Sequence, residues 1–197
     1  YFLVCLQKMT KPNKDYSEWL SKNNDIDVSS ISLGQLIDTA ASKYQDSEAL
    51  VYSNQPDVEE IRWTYKFLSD KSTELARGFL LEGLKPGDTV GVWGPNHPEW
   101  ILTEYALAKA GLKMVTLNPL YKEQELIFAL NTVEAKGLVH AEEIGGTKAT
   151  NLIQKIKPEI KSLDHIYSFK SGLKKLILSA CQDSINVPIV TSNDIFV

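Results

Sequence analysis

The chain has 197 residues, 43% of them hydrophobic and 23% charged, with a formal net charge of -4. That length can bury a sizeable core, and the composition is that of an ordinary globular domain, which excludes a disordered chain. The acidic balance argues against nucleic acid or an anionic membrane as the main partner, and two cysteines, Cys5 and Cys181, with no CxxC argue against a disulfide framework or a zinc site.

Residues 1–30 read as an N-terminal arm. The opening "YFLVCL" is too short to cross a bilayer, which needs about 20 apolar residues. The stretch after it is rich in Asn, Asp, Lys and Ser, and its Asp15 and Glu18 depart from a typical mitochondrial presequence. No transmembrane segment, repeat or low-complexity tract is present in the sequence. From Ser32 the character changes. Ser32 and Gln35 form a predicted capping box, and Leu33, Leu36, Ile37, Ala40 and Tyr44 recur at helical spacing. "EALVYS" and "IRWTY" follow as a predicted β-hairpin around the polar "SNQPDVEE". Thr64 is placed to cap a helix carrying Phe67, Leu68, Leu75, Ala76, Phe79 and Leu80, which ends at Gly83.

"TVGVW" is a predicted buried strand that breaks at Gly94-Pro95-Asn96. Asn96 is the expected cap of the next helix, with Glu99 reaching back and Pro98 in the first turn, where its missing N–H costs nothing. That helix carries Trp100, Ile101, Tyr105, Ala108 and Leu112, with Gly111 as its stop, and "LKMVTL" is the next strand. The same device repeats: Asn118-Pro119, a helix with Leu126, Ile127, Leu130 and Val133, then strand "AKGLVH". A helix broken at Pro158, strand "LDHIYS", helix "SGLKKLILSAC" and a last short strand "NVPIV" complete the series. Alternating strands and helices predict an α/β fold, mainly a parallel sheet with helices on both faces.

In such a sheet, ligands bind outside the carboxyl ends of the strands. The "WGPN" turn, the "LNPLY" turn and the "HAEEIGGTK" loop fall on that edge. Free N–H groups there could hold an anion, or the residues could simply make corners; the second reading is preferred on these residues alone. Other signatures are missing from the sequence: GxGxxG, GxxxxGK[ST] and GxSxG. His97, His140 and His165 form no HxxxH or HExxH pattern and read as ordinary polar residues.

Three segments together resemble the acyl-CoA synthetases of the adenylate-forming (AMP-binding) superfamily: Arg62 to Trp100, Ala106 to Tyr121, and Glu125 to Val139. They follow in that family's order and spacing. "WGPN" and "NPLY" are most similar to the medium-chain acyl-CoA ligase branch, that of acyl-CoA synthetase family member 2. The resemblance implies an enzyme that uses ATP and Mg2+ to convert a fatty acid to an acyl-adenylate, then passes the acyl group to CoA. The adenylate turns a poor leaving group into a good one, splitting one hard step into two. It also implies a partial N-terminal domain of the adenylate-forming fold, spanning residues 31–197, and a mitochondrial location, with cytoplasm as the alternative.

The family's Thr/Ser/Gly-rich phosphate loop ending in Pro-Lys, its ribose-binding aspartate and its C-terminal lysine have no counterpart in these 197 residues. The chain is therefore expected to be an N-terminal fragment that does not catalyse adenylation. Catalytic, cofactor-binding and metal residues are each assigned as none. In some relatives the turn matching Asn118-Pro119 and a basic residue after the next strand lie near the CoA nucleotide; Lys148 is the basic residue of that loop here. ATP, Mg2+ and CoA are expected to serve the complete enzyme and to bind this chain poorly. An exposed apolar face is expected to meet a second subdomain or another copy. The alternative is a truncated non-catalytic module with a binding role or no independent function.

Overall fold

The structure is a computed structural model that describes residues 31–53, 60–181, 185–191, 194 and 196. The expected arm over 1–30, with Cys5, and most of the "SNQPDVEE" turn lie outside the described residues. The described chain is α/β, as its alternating patterns predict.

Helix α1 (Leu33–Tyr44) starts with the expected box: the Ser32 hydroxyl accepts the Gln35 N–H at 3.2 Å, and Gln35 Oε1 accepts the Ser32 N–H at 2.9 Å. Its buried positions are Gly34 and Ile37, whereas Leu36 and Tyr44 are exposed. The periodicity proposed a wider apolar face. The narrow one follows from the close approach of Lys109, whose Cγ would lie 3.0 Å from a Cβ at Gly34. Strands β1 (Glu48–Tyr52) and β2 (Ile61–Thr64) pair antiparallel as the expected hairpin. Thr64 caps α2 (Tyr65–Leu81) by accepting the Phe67 N–H at 3.1 Å, and Gly83 leaves the helix at φ +104°.

The main sheet then builds up from β3 (Thr89–Trp93), β4 (Lys113–Leu117), β5 (Gly137–His140) and β8 (His165–Ser168), in the order β4-β3-β5-β8 and parallel throughout. β5 is wholly buried and β3 nearly so, the pattern of strands covered on both faces. Helix α3 (Pro98–Ala110) joins β3 to β4, and α4 (Glu123–Thr132) joins β4 to β5. After β5 come a small hairpin, β6 (Glu143–Ile144) with β7 (Thr147–Lys148), and α5 (Ala149–Ile156). Pro158 lies in a 3₁₀ turn, Lys157–Glu159, which follows α5 directly, so the proline ends the α-helix as expected. Helix α6 (Ser171–Ala180) follows β8.

Alternate side chains of β3 serve opposite faces. Val90 and Val92 pack with Leu75, Phe79, Leu107 and Leu173 beneath α1, α2, α3 and α6. Trp93 packs with Leu126, Leu130, Ile153 and Ile156 beneath α4 and α5. Burying each such side chain stabilises the fold by roughly 1.5–3 kcal/mol. On the first face Lys109 is 6% exposed. Its ammonium donates to Asp38 at 2.6 Å, Thr73 at 2.8 Å and the Ser69 carbonyl at 2.9 Å, tying α1, α2 and α3 together. Burial lowers its pKa while Asp38 pulls the other way.

Two local expectations are corrected. The cap of α3 is His97, not Asn96. Pro98 at the first helical position holds the residue before it extended, so His97 (φ -154°, ψ 149°) becomes the half-in residue. Asn96 lies one residue too early, is exposed, and makes no hydrogen bond among the described residues. Glu99 meets the His97 imidazole instead of reaching back to Asn96. The second correction concerns "NVPIV", which is not a strand. Pro188 lacks a donor, and the segment packs instead against the end of α3, where Val190 Cγ2 would lie 3.4 Å from a Cβ on Gly111.

Candidate functional site

Because the four strands run parallel, Trp93, Leu117, His140 and Ser168 all end at one edge. The turns after the first three strands meet there around a cavity of about 610 Å³. Its lining brings Trp93 and Pro95 together with Pro119–Glu123 and with Ile144, Thr147, Lys148 and Leu152. Three stretches separated in sequence thus form one pocket at the edge where a parallel sheet binds ligands.

Each wall is fixed by local chemistry. In the Asn118–Tyr121 turn, the Asn118 side-chain oxygen accepts the Leu120 N–H at 2.9 Å, and its carbonyl accepts the Tyr121 N–H at 3.0 Å. The Trp93 indole N–H donates to the same carbonyl at 3.1 Å. The opposite wall is the β6–β7 hairpin, read from sequence only as a loop. Gly145 (φ +58°) and Gly146 (φ +75°) both take left-handed conformations, which the two-residue turn between paired strands requires. The signal was the Gly-Gly pair itself, lost among the short two-residue strands that flank it.

Glu142 holds this wall to the rest of the sheet edge. Its carbonyl accepts the Ala149 N–H at 2.9 Å, and its carboxylate accepts the Lys170 N–H at 2.8 Å at the start of α6. Partial burial works to raise the Glu142 pKa, but bonds from the Lys170, Glu142 and Ser171 N–H groups and from the Ser168 hydroxyl hold it below its ordinary value.

Two lysines stand on the rim, Lys122 at the N-cap of α4 and Lys148 at the N-cap of α5. The α4 terminus is closed by Glu125, whose carboxylate accepts the Lys122 N–H at 2.9 Å, whereas the first turn of α5 carries no acid. Glu123, the acid on this rim, pairs with Lys155 at 2.6 Å. The floor and sides are mainly apolar: Trp93, Pro95, Pro119, Ile144 and Leu152. Such a site suits an anion with a flat or apolar body.

The other sequence candidates stay apart from it. His140 is 2% exposed, with Nδ1 2.8 Å from the Ala141 carbonyl; burial lowers its pKa, while that carbonyl and Glu142 pull the other way. His97 lies between the rings of Tyr52 and Phe169, at 5.5 and 5.7 Å. His165 is beside Tyr167 on β8. Among the described residues no cluster of His, Cys, Asp or Glu could hold a metal ion, and no helix is long and apolar enough to cross a membrane.

Comparison with known proteins agrees with this architecture. The AMP-binding enzyme family model matches residues 37–196. The chain is 36% identical over 134 residues to the medium-chain acyl-CoA ligase ACSF2, mitochondrial, of Bos taurus, covering 68% of this chain and 21% of that protein. It is 32% identical over 129 residues to the putative acyl-CoA synthetase YngI of Bacillus subtilis, covering 66% of this chain and 23% of the relative. It therefore spans about a fifth of the length of these relatives. The crystal structure of a long-chain-fatty-acid-CoA ligase, FadD1, from Archaeoglobus fulgidus superposes with a TM-score of 0.71 at 25% identity, over 83% of this chain and 33% of that one. A family match of this extent, on an α/β sheet shared with a solved acyl-CoA ligase, means that the chain belongs to the AMP-binding enzyme family.

Proposed function

We propose that this chain is the N-terminal portion of an acid–thiol ligase that joins a medium-chain fatty acid to CoA through an acyl-adenylate, with ATP and Mg2+, and that residues 31–197 belong to one incomplete N-terminal domain. The mitochondrion is the proposed compartment, by analogy with the mitochondrial ACSF2 relatives. The observation that carries the reading is the carboxyl-edge pocket: an apolar floor under Lys122, Lys148 and the N-terminus of α5, within a chain matched from residue 37 to 196. In this reading the pocket receives the nucleotide end of CoA. The adenine lies on the apolar floor, and Lys148 and Lys122 attract the phosphates. No step of adenylation is assigned to these residues, because the sequence contains no Thr/Ser/Gly-rich loop ending in Pro-Lys.

Calorimetric titration of the purified chain tests this. CoA is expected to bind weakly but saturably, and pantetheine, which lacks the nucleotide, is expected not to bind. Pantetheine binding as tightly as CoA would overturn the assignment. In the same preparation, ATP–pyrophosphate exchange with medium-chain acids is expected to stay at background.

A further inference from the structure

Trp93 is 2% exposed at the carboxyl end of β3, beneath the pocket floor. It is the one side chain that ties the Asn118–Tyr121 turn to the central strand by a hydrogen bond among the described residues. The turn has little apolar packing at its tip, where Leu120 is 80% exposed. Its internal bonds, from Leu120 and Tyr121 back to Asn118, set its shape but not its position. The turn leaves the ladder at Leu117, which pairs with Trp93, and rejoins the core at Tyr121; between these points the indole N–H on the Asn118 carbonyl at 3.1 Å is its hydrogen bond to the central strand. The other wall has a separate anchor, Glu142. The gap between Lys122 and Lys148 is set by these two anchors together with the Glu123–Lys155 ion pair at 2.6 Å, which joins the start of α4 to α5.

We propose that Trp93 is a positioning residue for the pocket's ligand: its indole N–H fixes the Asn118–Lys122 wall at the separation from the Lys148 hairpin that the ligand needs. The proposal rests on the reading that the pocket receives the nucleotide end of CoA. A phenylalanine would keep an apolar floor but leave the Asn118 carbonyl with the Tyr121 N–H as its remaining donor, so the turn would sample wider positions. Binding would then have to order the wall as well as the ligand.

The test separates the donor from the ring. Trp93→Phe removes the N–H and trims the ring system. Replacing Trp93 with 3-benzothienylalanine keeps the two-ring outline and substitutes sulfur for the N–H. The second variant is expected to melt close to the unsubstituted chain while binding CoA about fivefold more weakly, the effect of one neutral hydrogen bond. In 15N-tryptophan-labelled protein, the indole resonance missing from Trp93→Phe is expected to shift on CoA addition. Tyr121 amide exchange without ligand is expected to quicken in both variants. Unchanged CoA affinity in the benzothienyl variant would overturn the proposal, as would unchanged Tyr121 exchange. If the unsubstituted chain fails to bind CoA, the assignment of the pocket falls, and the tether is judged by Tyr121 exchange alone.

Discussion

The two faces of the parallel sheet are covered unequally. One carries α1, α2, α3 and α6, with the 17-residue α2 at its centre. The other carries α4 and α5, of 10 and 8 residues. Under the heavier cover, Leu75 and Phe79 are fully buried, and a Cβ on Gly78 would lie 2.6 Å from the Leu176 carbonyl oxygen. On the lighter side, Phe128 is 74% exposed, and a groove of about 490 Å³ runs between β4 and α4. The pocket opens on this lighter side, at the starts of α4 and α5. One face thus supplies stability and the other supplies space.

The sharpest way to break this comparison is at the α2–α6 contact. Gly78→Ala gains helix propensity but forces a methyl group onto backbone, and backbone gives little. A net loss of about 3 kcal/mol is expected, read as a lower urea midpoint with an unchanged slope. A smaller effect is expected at the lysine joining α1, α2 and α3. Lys109→Ala removes a buried stem and is expected to cost about 2 kcal/mol. Lys109→Met keeps the stem and removes the charge, and is expected to cost less than about 1 kcal/mol. Equal losses in the two variants would show that the ion pair, not the packing, holds the helices. The smallest effect is expected on the lighter face. Phe128→Ser is expected to change stability by less than about 0.5 kcal/mol, measured by the same denaturation. A loss near that of Gly78→Ala would mean the two faces are not unequal after all.

Features written in neighbouring residues were legible before the structure. The Ser32–Gln35 box, the Thr64 cap and the left-handed Gly83 and Gly111 are each decided within a few residues. The parallel sheet was legible as well, because strands buried on both faces leave long apolar runs such as "TVGVW". The reading of Asn96 failed although its residue type suits a cap: the constraint that Pro98 places on His97 outweighs side-chain preference. Leu36 and Tyr44 fit a helical stripe, yet they are exposed because the contact with Lys109 turns Gly34 inward. Val187 to Val190 have strand-like composition, but Pro188 and the end of α3 decide their place.

The sequence by itself determined the order of the four main strands and the helices between them, the caps at Ser32 and Thr64, the stops at Gly83 and Gly111, the parallel sheet and the family, since each rests on local backbone preference or on segment patterns in a fixed order. Only the tertiary structure decided that Trp93, the Asn118–Tyr121 turn and the Gly145–Gly146 hairpin share one cavity. A parallel sheet brings the ends of its strands to one edge, but the pocket's existence depends on how far α4 and α5 leave that edge open. That distance is set by packing between residues far apart in the chain, and no local pattern encodes it.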